Sequence, residues 1–171
     1  HDYAPLIHSQ ADVNRLVHFD KPLYLKDETE IEYEQILSIC EGIIPVHLAG
    51  IRHIWFTPWD NLIRLWGVEE ALLDLYLDPD LISYAVTFYV ERALEVLDEF
   101  ESQGLLSPGA GNIRVGSGGY GYCSDLPEVD TQPQCKTTEI WGCSNAQIFS
   151  DVSTEMHWEF ALKHDIPWLS R

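Results

Sequence analysis

The stretch that most constrains the fold is Glu139–Arg171, EIWGCSNAQIFSDVSTEMHWEFALKHDIPWLSR. Its apolar segment Ala146–Phe149 reads as extended, and Ser150 and Asp151 follow as a polar turn. Ser153 can then cap a helix, because its hydroxyl accepts an orphan N–H of the first turn. Glu155 places a negative charge at the positive end of that helix. Met156, Phe160 and Leu162 supply an apolar side. A strand that hands polar residues to a helix is one unit of an α/β architecture, where ligands bind at the carboxyl ends of strands.

Upstream, the pattern alternates. Ala11–Val17 predicts a short helix. Asp27 caps a second one, with Ile31, Ile36, Leu37 and Ile39 expected on its buried face and Gly42 at its end. Ile43–Ala49 is apolar, partly β-branched and bounded by glycines, which predicts a buried parallel strand. Thr57 and Pro58 start a short helix that Gly67 breaks, and Val68–Leu77 is helical again. Asp78-Pro79 opens the longest helix, with Ile82, Ala85, Val86, Tyr89, Ala93, Val96, Leu97 and Phe100 recurring at three and four. Asn112–Gly116 reads as a strand, Ser117–Leu126 as a glycine-rich turn and Glu128–Thr138 as a surface loop around Pro133. The expected fold class is α/β, with parallel strands, flanking helices and one domain over residues 1–171.

Composition narrows the function. The formal net charge is -18, from 10 basic and 28 acidic residues. That balance argues against nucleic acid, whose phosphates need clustered Lys and Arg. No run of about 18 apolar residues is present, so no membrane span is expected. No secretory leader is visible, so a cytoplasmic setting with reduced thiols is expected. Cys40, Cys123, Cys135 and Cys143 have no ligand spacing, so neither a metal nor another cofactor is expected.

Three groups can carry chemistry. Arg52 can clamp a carboxylate bidentately, His53 can move a proton, and Trp55 and Trp59 can wall a pocket. As plain structure they are loop aromatics and solvated charges. The glycines around Tyr120, Tyr122 and Asp125 permit close backbone approach to a ligand, but no Lys-Ser/Thr follows, which argues against a phosphate loop. Gln147, Ser150 and Asp151 close the last expected strand, where Asp151 is either an acid–base group or an ordinary turn residue. His157 and His164 are expected at the surface or in packing.

The segments SQADVNRLV, IIPVHLAG, DPDLISYAV, GSGGYGYCSDLP and above all AQIFSDVSTEMHWEFALKHDIPWLSR resemble the uroporphyrinogen decarboxylase-like family, which includes cobalamin-dependent methyltransferases. Thr154 stands where a proline often starts the family's helix. The resemblance implies a (β/α)8 barrel, of which this chain would be a middle fragment. It implies decarboxylation of a carboxylate-bearing substrate, or corrinoid-type methyl transfer as an alternative. A non-catalytic binding or assembly module is the third possibility. The expected site joins Asp151 and His53 as catalytic groups with Arg52, Trp55, Tyr120, Asp125 and Gln147 on the substrate. Open barrel edges would lead to a homo-oligomer.

Overall fold

The computed structural model describes residues 5–116, 118–128 and 134–171. The chain orders as α1 (Gln10–Leu16), α2 (Lys26–Cys40), β1 (His53–Phe56), α3 (Pro58–Trp66), α4 (Val68–Leu77), α5 (Pro79–Ser102), β2 (Ile113–Arg114), β3 (Tyr120–Gly121), β4 (Trp141–Ser144), α6 (Thr154–His157) and α7 (Lys163–Leu169). Between α6 and α7 the helix widens into a π turn at Trp158–Leu162.

The core forms around α5. Its residues Leu81, Ile82, Ala85, Val86, Tyr89, Val90, Ala93 and Leu97 are buried, as the spacing of three and four dictates. Helices α1, α3, α4 and α7 pack against it. Asp78 caps it by accepting the Leu81 N–H at 3.1 Å, and Pro79 occupies the first turn. Trp59 and Trp66 are fully buried. Trp66 donates its indole N–H to Asp74 at 2.8 Å, which locks α3 onto α4. Gly67 between them holds φ at 85°, a conformation that suits glycine.

The partial barrel is not what forms. Among the described residues there are two sheets of two strands each, and more than half of the chain is helical. Only β1 and β4 run parallel, with His53 opposite Trp141 and Phe56 opposite Ser144. The expected strand at Ile43–Ala49 is irregular and exposed. A parallel strand needs neighbours on both edges and helices on both faces, and among the described residues only the Tyr33 hydroxyl of α2 reaches this segment, at the Val46 carbonyl. The strand forms further on, at His53–Phe56, where Ile54 and Phe56 face the core and His53 and Trp55 face away. Ala146–Phe149 is likewise no strand. Gln147–Phe149 forms a tight helical turn that buries Ala146 and Phe149, three apart, on one side.

Asn112–Gly116 shortens to β2, which pairs antiparallel with β3 through the glycine turn. The second helix forms at α2, but Ile31, Ile36, Leu37 and Ile39 are exposed instead of buried. His1, Ser117 and Pro133 lie outside the described residues, as does the middle of the expected Glu128–Thr138 loop.

Candidate functional site

The parallel register separates the residues expected to converge. Arg52 precedes β1, and its carbonyl accepts the Trp141 N–H at 3.0 Å. Asp151 follows β4 by way of the Gln147–Phe149 turn. Because β1 and β4 run the same way in register, Arg52 and Asp151 lie at opposite ends of the sheet. Arg52 therefore precedes a strand, where the sequence reading had it follow one.

His53 and Trp55 share the face of β1 turned away from the helices, with ring centroids 6.2 Å apart. Burial pushes the His53 imidazole below its usual pKa. Its Nε2 and the Nε of Arg52 are buried with no hydrogen-bond partner among the described residues. A Cβ at Gly116 would come within 4.0 Å of the Trp55 ring, so the β2–β3 hairpin stands beside this face. Tyr120 and Asp125 belong to that hairpin and the loop after it, and both are exposed. The Asp125 N–H donates to Cys123 Sγ at 3.3 Å. Gln147 and Asp151 are exposed at the other end.

A different group gathers on the helix-facing side, past the carboxyl end of β4. Ser144, the last residue of β4, faces the helices with Gly142, whose missing Cβ would lie 3.7 Å from Leu169 and Trp168. Asp165 on α7 is 5% exposed. Burial raises its pKa, and the Ser144 hydroxyl and His157 offset part of that rise. Ser144 Oγ thus acts on the carboxyl, yet it makes no hydrogen bond of ordinary geometry. Ser144 Oγ, Asn145 Oδ1 and His157 Nε2 are all buried without a partner among the described residues.

The π turn brings two of these side chains to one side. In an uninterrupted α-helix, residues eight apart are offset by about 80°. One extra residue absorbed in a wide turn removes roughly 100°, leaving His157 and Asp165 within about 20° of each other. The turn is itself pinned, because Trp59 donates its indole N–H to the Phe160 carbonyl at 2.8 Å.

Ser144, Asn145 and Asp165 carry no motif in the sequence, and His157 has only the spacing of a surface or packing residue. A signal was present. Ala161, Asp165 and Trp168 follow one another at four and three, so the carboxyl sits in a stripe of buried positions. An acid there is costly unless it is neutral or partnered.

A cleft of about 270 Å³ opens at the other end of the sheet, lined by Ile54, Leu97, Trp141, Trp168 and Arg171 among others. Its Arg171 pairs with Asp98. Among the described residues, no three His, Cys, Asp or Glu side chains are placed to hold one metal ion. No helix among them is long and apolar enough to cross a membrane. No family model matches this chain, and neither a curated protein nor a solved structure is detectably similar to it.

Proposed function

We propose that this chain supplies acid–base chemistry to an enzyme that decarboxylates a small carboxylate-bearing substrate. The observation that carries the reading is the set of buried, unpartnered polar atoms around Asp165, past the carboxyl end of a parallel strand. Loss of CO2 leaves an electron pair on carbon, and a proton must reach it. A carboxyl whose pKa is raised by burial keeps its proton to higher pH and can deliver it. His157 acts on it through charge alone, without a hydrogen bond between them, and Ser144 and Asn145 offer hydrogen bonds to the reacting molecule. His157 and Asp165 fall in the segment that most resembles the uroporphyrinogen decarboxylase-like family, and Ser144 and Asn145 immediately precede it.

Arg52 takes no part in this group, since it lies at the other end of the sheet. The carboxylate would instead lose its charge as it leaves, in surroundings that disfavour charge. The test is CO2 release from uroporphyrinogen and from short-chain carboxylic acids. D165N is expected to slow release by about 10²–10⁴-fold, the usual worth of a positioned proton donor. Absence of CO2 from every substrate, or full activity in D165N, would refute the reading.

A further inference from the structure

We infer that residues 23–48 form a docking arm for a partner protein whose apolar groove is rimmed by Lys and Arg. The arm is rooted at both ends and, among the described residues, has no buried helix position between. At its start, Lys21 pairs with Glu99 at 3.0 Å and the Pro22 carbonyl accepts from Gln103 at 2.8 Å. At its end, the Gly50 N–H donates to Ser107 Oγ at 2.7 Å. Helix α2 lies between these roots and has no buried residue and no substantial packing against another element. Among the described residues its one long-range hydrogen bond runs within the arm, from the Tyr33 hydroxyl to the Val46 carbonyl at 3.4 Å.

A helix of 15 residues is marginal in water unless an apolar face is packed. The arm offers exposed apolar side chains: Ile36 and Ile39 are neighbours three apart on α2, Ile39 exposed by 75%, and Leu25, Ile31, Leu37 and Ile43 are exposed around the rest of the arm. Exposed large apolar side chains gathered on one segment mark an interaction site.

Charge selects the occupant. Asp27, Glu28, Glu30, Glu32, Glu34 and Glu41 flank the apolar residues, against Lys26 alone. A second copy would bring the same acids face to face, on top of a net charge of -18 per chain. An anionic lipid surface is repelled for the same reason. A groove with a cationic rim satisfies both the apolar and the acidic residues.

The experiment titrates the whole chain with two synthetic helical peptides that share a leucine face, one with lysine on its polar side and one with glutamate. The lysine peptide is expected to bind, and the glutamate peptide is not. In the double variant I36S/I39S, binding of the lysine peptide should fall by at least about tenfold, since two buried apolar anchors are lost. Its melting temperature should not move, because both side chains are exposed. The inference is overturned by a lysine peptide that fails to bind, by equal binding to the double variant or by equal binding of the glutamate peptide. Self-association by light scattering that the double variant abolishes, or vesicle binding that it abolishes, overturns it as well. None of these results bears on CO2 release, so the two proposals fail separately.

Discussion

Replacing Trp59 by Phe tests whether the π turn is held by one indole. Trp59 is 1% exposed, its ring meets Phe149 edge-on at 4.7 Å, and its N–H reaches the Phe160 carbonyl at 2.8 Å. Phenylalanine keeps an aromatic ring in the pocket but loses the donor and part of the volume. A buried carbonyl left without its partner costs about 1–3 kcal/mol. The unfilled space adds about 1 kcal/mol if the pocket relaxes only in part. W59F should therefore lose about 3 kcal/mol, a large share of the 5–15 kcal/mol typical of a domain. Urea unfolding followed by circular dichroism gives the value, from a lowered midpoint at unchanged slope. Trp158→Phe is the control, since that ring is half-exposed and the change should stay within about 0.5 kcal/mol. A loss under about 1 kcal/mol in W59F would show that the turn does not depend on this bond.

Two further outcomes follow from other parts of the molecule. The raised pKa of Asp165 means that the folded state holds a proton that the unfolded state has released, so stability falls as pH rises from about 4 through the folded value. The difference in stability between D165N and the wild type should widen in favour of D165N over that rise, and a difference that is flat with pH would contradict the buried carboxyl. At Gly50, an added Cβ would meet the Leu105 carbonyl oxygen at 2.4 Å, a backbone atom that cannot swing aside. Gly50→Ala should cost about 1–3 kcal/mol in the same urea assay, and an unchanged midpoint would show that the close approach of Gly50 to Leu105 yields freely.

Local rules were legible at most helix starts, although Asp27 lies inside α2 behind the cap residue Leu25 and Thr57 precedes α3 without a side-chain cap bond. The caps at Asp78 and Ser153, proline in the first turn at Pro58 and Pro79, and the stripe along α5 all appear where the sequence puts them. The sheet was not legible, because strand pairing depends on partners far away in the chain. Ile43–Ala49 is more apolar than His53–Phe56, yet the latter pairs, since Phe56 can stack on Trp168 at 4.4 Å and Ile43 has nothing to meet. Burial on α2 failed for the same reason. Its composition is right for a packed helix, but burial is a property of what lies opposite. The expected site inherited the strand error, because Arg52 was tied to the end of a strand that does not form. The Asp165 group stayed hidden because its alignment with His157 depends on the π turn, which no residue pattern announces.

The pairing of β1 with β4 also sets how the molecule holds together as a whole. Joining strands about ninety residues apart costs roughly 4 kcal/mol of chain entropy beyond a constant. Four paired residues return about the same through backbone hydrogen bonds at roughly 1 kcal/mol each. On its own the ladder therefore breaks even. What tips it is Trp168, which covers Phe56 and lies against Gly142 at the same time. The ladder and the docking of α7 thus stand or fall together, and the last helix of the chain acts as the clasp that closes the long crossover.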